Sequence, residues 1–352
     1  MGIRIALIPG DGIGPEVVAE ARRVLEAVEA EGLARLSLES FPHGADHFLA
    51  TGETLSDETF ARLRDGFDAI LLGAVGDPRV PDGRHARDIL LGLRFRLDLF
   101  VNHRPARLRL PELSPLRDAA DRGFDVTILR ENTEGFYAGA GGVLREGTPG
   151  EVAVSESFAT RFGVERIVRF AFEHARSTGR TPVTLADKAN AVPHVYGLWR
   201  RVFAEVAAEY PEVQSEARYV DAVAMQLVRE PGRFSLIVTE NLLGDILSDL
   251  AAELAGGMGL APSASLNPGR HALYEPVHGS APDIAGRGVA NPMAAILSAA
   301  MLLGNAGAAE AAARVEAAVD AALREGVRTP DVGGTASTGE VGRWIAARVS
   351  AG

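Results

Sequence analysis

Short apolar runs alternate with amphipathic helical patterns along this chain, and this alternation limits the folds that it can adopt. Residues 3–8 form an apolar run suited to a buried strand, and residues 15–30 carry apolar side chains at helical spacing. Further buried strands are predicted at residues 69–72, 126–129, 183–186 and 235–238. Strands that alternate with helices usually pair in parallel. The pattern therefore predicts an α/β fold with a largely parallel sheet.

Length and composition allow a large enzyme and predict two domains or two lobes. The 352 residues, of which 47% are hydrophobic and 24% charged, exceed the usual size of a single core. Because the chain has no cysteine, disulfides, thiolate nucleophiles and Cys-ligated zinc are excluded. It also lacks an apolar run typical of a membrane span or a signal peptide, so we expect a cytoplasmic protein with no membrane partner. A net charge of −11 argues against nucleic-acid binding.

A candidate metal site lies in the motif at residues 241–253, NLLGDILSDLAAE. On a helix, Asp245 and Asp249 are one turn apart on the same face, where two like charges repel unless a cation lies between them. Carboxylates without Cys or His nearby suit Mg²⁺ or Mn²⁺, and the apolar residues around this pair increase the need for a counter-charge. Asp221 is a third possible ligand. The alternative interpretation is a pair of solvated carboxylates on a helix surface.

A glycine-rich turn at residues 10–14 follows the first strand, where a Rossmann phosphate loop would lie. Its spacing is G-x-G-x-G rather than G-x-G-x-x-G. No acidic residue ends a second strand at the distance that a ribose contact requires. The turn therefore does not predict a Rossmann dinucleotide site.

Three arginines in the middle of the chain, Arg94, Arg104 and Arg130, form a candidate anion-binding set. Arg130 directly follows an apolar strand, and open α/β sheets bind their ligands at the carboxyl ends of strands. Guanidinium groups bind carboxylates through two parallel hydrogen bonds, so the set suggests a di- or tricarboxylic acid. Taken singly, each arginine is also compatible with an ordinary ion pair.

Two residues are candidates for proton transfer. Lys188 closely follows a β-run, and Tyr137 follows the strand that ends at Arg130. A cation and arginines close to a lysine would lower its pKa, which would make the amine a usable base near neutral pH. The alternative is a structural role for each residue.

Taken together, these motifs resemble the β-decarboxylating dehydrogenases of 2-hydroxy acids, the family of isopropylmalate, isocitrate, homoisocitrate and tartrate/D-malate dehydrogenases. The resemblance covers essentially the whole chain, and the motifs occur in the family's order. They are the turn at residues 5–16, Arg94, Arg104-Pro105, residues 130–134, Tyr137, Lys188, Asp221, residues 241–245 and residues 278–283.

The resemblance implies a role for each candidate. Arg94, Arg104 and Arg130 would bind the malate carboxylates. Asp221, Asp245 and Asp249 would hold Mg²⁺ or Mn²⁺. Lys188 would help to remove the hydroxyl proton, and Tyr137 would protonate the enolate that is left after CO₂ departs.

The resemblance also implies an isopropylmalate dehydrogenase-like fold with two lobes. Residues 1–99 and 252–352 would form the larger, dinucleotide-binding lobe, and residues 100–251 the smaller lobe. Residues 138–157, which are glycine-rich, match a β-arm that clasps a second subunit. A homodimer is therefore expected, with a tetramer as the alternative, and Lys188 and Asp221 would reach the partner's active site.

For the cofactor, the resemblance implies NAD bound at a loop unlike that of the Rossmann fold. Members that use NADP carry Lys-Tyr where this chain has Asp283-Ile284, and a carboxylate there would repel a 2′-phosphate. The residues assigned to this site are His278, Gly279, Ser280, Ala281, Asp283, Ile284 and Asn291.

Substrate choice depends on residues 83–94. Isocitrate enzymes place Ser and Asn where this chain has Asp88 and Leu90, so a third substrate carboxylate is disfavoured. Leu90 and Leu91 match the leucines that line the isopropyl pocket of isopropylmalate enzymes, although both could simply pack their helix. The glutamate that those enzymes carry near this point is missing, and Asp88 either replaces it or contacts a polar substituent.

We therefore expect isopropylmalate as substrate, in leucine biosynthesis. Tartrate or D-malate comes second, and another 3-alkyl or 3-aryl malate follows. The family also includes non-catalytic regulatory subunits, but this chain retains all of the arginines, aspartates, Lys188 and Tyr137. An enzyme is the better interpretation.

Overall fold

The computed structural model describes residues 2–119 and 123–351, which form two compact units. The first unit consists of Met1–Leu99, Arg107–Ala120 and Ala252–Gly352, and the second of Phe100–Ala106 and Asp121–Ala251. The chain thus enters the second unit at residue 100, and residues 107–120 belong to the first unit again. The second unit is then completed before the chain returns to the first at residue 252. None of the described helices is long and apolar enough to cross a bilayer.

The described strands are β1 (Ile3–Gly10), β2 (Leu36–Ser40), β3 (Ala69–Ala74), β4 (Val101–Arg107), β5 (Asp125–Glu131), β6 (Gly141–Leu144), β7 (Val152–Ser155), β8 (Val183–Asp187), β9 (Ser215–Tyr219), β10 (Leu236–Thr239), β11 (Pro262–Asn267) and β12 (His271–Pro276). The described α-helices are α1 (Gly14–Ala30), α2 (Ala45–Thr51), α3 (Asp57–Gly66), α4 (Arg84–Arg96), α5 (Arg161–Thr178), α6 (Pro193–Ala207), α7 (Val220–Arg229), α8 (Asn241–Leu254), α9 (Met293–Asn305), α10 (Ala309–Arg324) and α11 (Thr338–Ala351).

In the first unit the strand order is β2-β1-β3-β12-β11. The strands pair in parallel from β2 to β12, and only the hairpin of β11 and β12 is antiparallel. Every residue of β3 is buried, as expected for a parallel strand covered on both faces. Helix α9 is buried on almost all sides and contacts β11, β12, α1 and α10, which makes it the centre of this unit.

In the second unit the strand order is β4-β5-β10-β8-β9. Strand β10 pairs in parallel with β5 and with β8, and β8 pairs in parallel with β9. Each of the five apolar runs that predicted a strand forms one, and the predicted α/β class with a largely parallel sheet is confirmed.

The glycine-rich segment at residues 138–157 forms an antiparallel ribbon of β6 and β7. All residues of both strands are exposed. Gly141 is required where the two strands meet, because a Cβ there would lie 2.1 Å from the carbonyl oxygen of Val154. The ribbon therefore has the form of the predicted β-arm, with exposed valine and leucine side chains.

Helix α1 is stabilised by burial of one face. Leu25 on α1 is 0% exposed, whereas Leu49 on α2 is 51% exposed. We expect Leu25→Ala to lower the free energy of unfolding by about 2–5 kcal/mol because it leaves a cavity in the core. Leu49→Ala, the control, should change it by less than about 1 kcal/mol. Urea unfolding of both variants measures the difference, and equal effects would contradict this packing.

Candidate functional site

Four of the predicted residues surround Asp245 in the second unit. The carboxylate of Asp245 accepts a hydrogen bond from Arg130 Nη1 at 2.6 Å and another from the Tyr137 hydroxyl at 2.7 Å. Arg104 Nη1 lies 3.1 Å from Asp245 and 3.0 Å from Asp249. The structure thus gathers two carboxylates, two guanidinium groups and a phenol into one cluster, which we call the carboxylate cluster.

Arg130 is the buried member of the carboxylate cluster. It is the penultimate residue of β5, its side chain is only 1% exposed, and its Nε donates to Asn241 Oδ1 at 2.8 Å. Gly244 allows this approach, because a Cβ at that position would lie 2.7 Å from the Cβ of Arg130. Sequence analysis identified Asp245 as a metal ligand but missed that Asn241, Gly244 and Asp245 together cradle Arg130.

Asp245 and Asp249 are the residues of the carboxylate cluster that could hold a cation. Burial raises the pKa of the Asp249 carboxyl, Arg104 opposes that rise, and the charge of Asp245 adds to it. The side chains of Asp245 and Asp249 remain 28% and 41% exposed, so both can accept a further ligand. Oxygen ligands of this kind suit Mg²⁺ or Mn²⁺, and in the structure Arg104 and Arg130 supply the positive charge beside them.

The environment of Tyr137 favours the protonated form of its hydroxyl. Burial raises the pKa of its hydroxyl, and the hydrogen bond to Asp245 raises it further. The guanidinium of Arg130 lies over the Tyr137 ring at 4.9 Å from the centroid and acts in the opposite direction. The phenol therefore keeps its proton at neutral pH.

Lys188 and Asp221 form a second pair in the same unit. Lys188 Nζ donates to Asp221 Oδ1 at 2.5 Å, and this hydrogen bond lowers the pKa of the Asp221 carboxyl. Lys188 follows β8, and Asp221 lies in the first turn of α7. Lys188 is also the only lysine in the chain, whose other basic side chains apart from histidine are arginines. A single lysine in a chain that otherwise uses arginine is a sequence signal that this position requires an amine.

Helix α4 of the first unit carries Arg94, predicted to bind the substrate, and the residues predicted to determine substrate specificity. Arg94 is buried and its Nη2 donates to Glu275 Oε1 at 2.9 Å. Asp88 is exposed and accepts a hydrogen bond from the Thr54 hydroxyl at 3.0 Å. Leu90 packs partly against the core of the unit, whereas Leu91 is half-buried outside that cluster. The structure therefore gives Leu90 a packing role in addition to any contact with a ligand.

The glycine-rich turn supports the loop predicted to bind the dinucleotide. The Ile13 N–H donates to the carbonyl oxygen of Ser280 at 2.8 Å. Gly12 has φ +56°, and a Cβ there would lie 1.9 Å from the same oxygen. Only glycine fits both conditions. The turn that lacks the Rossmann spacing thus holds a second loop in place.

Other contacts complete this loop. The Glu16 carboxylate accepts from the backbone amides of Gly286 and Gly288. The Asn291 side chain donates to Asp331 at 3.0 Å and accepts from the Met293 amide, so both of its polar groups are hydrogen-bonded within the protein.

The remaining members of the predicted dinucleotide set lie on the loop itself. Gly279 and Asp283 are exposed, and Ser280, Ala281 and Ile284 are half-buried. His278 Nδ1 lies 3.0 Å from the carbonyl oxygen of Gly279, and burial lowers the pKa of the imidazole.

Sequence analysis missed a buried carboxylate in the same turn. Asp11 accepts from the amides of Ala45 and Gly76, at 2.6 and 2.7 Å. His85 Nε2 lies 2.8 Å from the same carboxylate and is fully buried at the start of α4. Asp11 therefore ties the glycine-rich turn to the helix that carries Arg94. Its position within a glycine-rich turn was the available signal.

Comparison with known proteins places this arrangement in a family. The family model for isocitrate/isopropylmalate dehydrogenase matches residues 4–345. A 3-isopropylmalate dehydrogenase of Frankia casuarinae is 51% identical over 350 residues, covering 99% of this chain and all of the relative. One from Mycobacterium tuberculosis is 50% identical over 337 residues, covering 94% of this chain and 98% of the relative.

Solved structures agree with this assignment. The crystal structure of isocitrate dehydrogenase from Methylococcus capsulatus has a TM-score of 0.90 at 38% identity and covers 99% of both chains. A β-decarboxylating dehydrogenase from Thermococcus kodakarensis has a TM-score of 0.80 at 40% identity, covering 99% of this chain and 96% of the other. With these similarities and the carboxylate cluster in place, the chain belongs to the isocitrate/isopropylmalate dehydrogenase family.

Proposed function

We propose that this protein catalyses the NAD-dependent oxidative decarboxylation of 3-isopropylmalate to 4-methyl-2-oxopentanoate, in leucine biosynthesis. The observation that carries the proposal is the 51% identity, over the full length of both chains, to a relative named 3-isopropylmalate dehydrogenase. The retained arginines, aspartates, Lys188 and Tyr137 support an enzyme rather than a regulatory subunit. The cytoplasm is the compartment that fits this biosynthetic role.

Arginines would bind the two carboxylates of the substrate. Arg104 and Arg130 are members of the carboxylate cluster, and Arg94 is buried with its Nη2 hydrogen-bonded to Glu275. Guanidinium groups fixed in this way lose little entropy when a carboxylate binds. Leu91 and the exposed part of Leu90 would contact the isopropyl group, and Asp88 would disfavour a substrate with a third carboxylate.

Asp221, Asp245 and Asp249 would hold Mg²⁺ or Mn²⁺, the ions that carboxylate oxygens favour. A bound cation would stabilise negative charge on the substrate oxygen, and bound NAD would accept the hydride from C2. Within the protein, Lys188 would accept the hydroxyl proton as the hydride leaves. After the 3-carboxylate departs as CO₂, the Tyr137 hydroxyl would protonate C3 of the enolate. The raised pKa of Tyr137 supports this role, because the phenol holds its proton until the enolate forms.

NAD is proposed over NADP because of Asp283. This residue and Pro282 are exposed on the loop that Gly12 and Glu16 support, so the carboxylate is accessible to a ribose. It would accept hydrogen bonds from the ribose hydroxyls and would repel a 2′-phosphate.

A homodimer is proposed from the same family. The exposed ribbon of β6 and β7 would clasp the second subunit, and Lys188 and Asp221 would act in the partner's active site. The exposed position of Asp221, whose side chain is paired with Lys188, supports this assignment.

A substrate panel tests the function. We expect the purified protein to form NADH from NAD with 3-isopropylmalate and Mn²⁺ at a higher kcat/KM than with D-malate, L-tartrate, isocitrate or 3-benzylmalate. NADP should serve far less well. Preference for D-malate or tartrate would instead indicate that Asp88 contacts a polar substituent of the substrate, and the assignment to isopropylmalate would be wrong.

Lys188 is tested by two substitutions. Because proton transfer by a positioned side chain contributes about 10²–10⁴-fold, Lys188→Ala should lower kcat by that factor while the Kd for NAD stays within about twofold. Lys188→Arg keeps the charge but cannot act as a base near neutral pH, so it should be nearly as slow. Steady-state kinetics and NAD titration measure both. Near-normal turnover in Lys188→Arg would remove Lys188 from proton transfer.

Metal binding should depend on pH through Asp249. Its carboxyl pKa is raised, and a protonated carboxyl cannot bind the ion, so Mn²⁺ affinity should begin to fall at a pH above the ordinary carboxyl range of about 4. Asp249→Asn should weaken Mn²⁺ binding at every pH and remove this part of the pH dependence. Asp46→Asn, a change at an exposed carboxylate, is the control. Calorimetric titration with Mn²⁺ measures the affinities, and an unchanged profile in Asp249→Asn would exclude it as a ligand.

A further inference from the structure

A second group of metal-ligating side chains lies in the first unit, apart from the residues assigned to the reaction. His43 precedes α2, His47 lies on α2 and Glu53 follows it. One ligand atom from each residue lies within 4.8 Å of the others. The imidazole ring centroids of the two histidines are 4.9 Å apart. We call these three residues the histidine site.

Three of the four ring nitrogens of His43 and His47 are buried and lack a hydrogen-bond partner among the described residues. His43 is only 4% exposed, and neither of its ring nitrogens has a hydrogen-bond partner among the described residues. His47 Nε2 is also buried without one. Buried polar groups in proteins are nearly always hydrogen-bonded or bound to a ligand, so three such atoms in one place point to a missing bond. A neutral imidazole nitrogen is also the form that binds metals.

The backbone around these residues orients the third ligand toward the histidines. Gly52 follows α2 with φ +76°, a left-handed conformation that ends the helix, and Glu53 comes directly after it. The Thr51 hydroxyl donates to the His47 carbonyl oxygen at 2.8 Å and accepts from the Glu53 amide at 3.1 Å. Thr51 thus links the two ligand-bearing residues at the level of the backbone.

We propose that His43, His47 and Glu53 bind a divalent transition-metal ion of the Zn²⁺ class. Two imidazoles and one carboxylate form the three-ligand set that zinc accepts with a water as the fourth ligand. Bonds of about 2.0–2.2 Å place two ligands of a tetrahedral ion roughly 3.4 Å apart. The three ligand atoms lie within 4.8 Å of one another, and rotations of the side chains, of which His47 and Glu53 are not fully buried, would bring them to that separation.

Ligand chemistry separates this site from the carboxylate cluster. Nitrogen ligands favour Zn²⁺, Co²⁺ or Ni²⁺ over Mg²⁺, whereas carboxylate oxygens accept Mg²⁺ readily. An excess of Mg²⁺ therefore occupies the carboxylate cluster without filling the histidine site. The proposal does not depend on which substituted malate the enzyme uses.

The test is calorimetric titration of the full-length, chelator-treated protein with Zn²⁺ in the presence of excess Mg²⁺. We expect one Zn²⁺ per chain. His47→Asn and Glu53→Gln should each weaken that binding, with His47→Asn reducing affinity at least about 100-fold because a direct ligand is lost. Co²⁺ in place of Zn²⁺ should give the visible absorption of a tetrahedral or five-coordinate site, and this absorption should be absent in His47→Asn.

Matched controls keep the result interpretable. His271→Asn removes another half-buried histidine of the same unit, and Glu58→Gln removes an exposed glutamate on α3. Both should bind Zn²⁺ as the unsubstituted protein does. Glu53 is exposed, so its substitution leaves the fold intact. No Zn²⁺ binding in excess Mg²⁺, or binding that His47→Asn and Glu53→Gln leave unchanged, would overturn the proposal.

Discussion

A buried guanidinium determines the arrangement of the second unit's site. Arg130 is almost fully enclosed where β5 ends, and an enclosed cation without a counter-charge would cost several kcal/mol. Helix α8 supplies the compensation through Asn241 and Asp245, and Gly244 lets the helix approach closely enough for both contacts. The same register places Asp249 one turn further along, beside Arg104. Neutralising Arg130 therefore also sets the position of both carboxylates.

In the first unit, a glycine-rich turn has the corresponding role of a scaffold. Its backbone holds Ser280, its aspartate Asp11 holds His85 at the start of α4, and Glu16 holds the amides at the far end of the loop. The groups that make these contacts are already hydrogen-bonded within the protein. The residues that remain exposed on this loop, including Asp283, therefore lie on a segment that is hydrogen-bonded to the turn and to α1, and such positioning favours specific binding.

Much of the fold was predictable because buried parallel strands read as continuous apolar runs. Strands β3, β8 and β10 are almost entirely buried, and each was predicted. By contrast, β2 and β9 are half exposed at the ends of the strand order and carry charged residues, so no apolar run marks them. Asp88 shows a similar limit for the site: its sequence position indicated a specificity residue, but its hydrogen bond with Thr54 joins residues far apart in the chain.

The sequence by itself determined the α/β class, the family and the identities of the candidate residues, because periodicity and motif spacing are local properties of the chain. Only the tertiary structure decided how those residues are paired. It joined Arg130 to Asn241 and Asp245, Arg94 to Glu275, and the glycine-rich turn to Ser280. It also showed that three of the four ring nitrogens of His43 and His47 are buried without partners among the described residues. These pairings depend on burial and on close approach of distant segments, which no local pattern encodes.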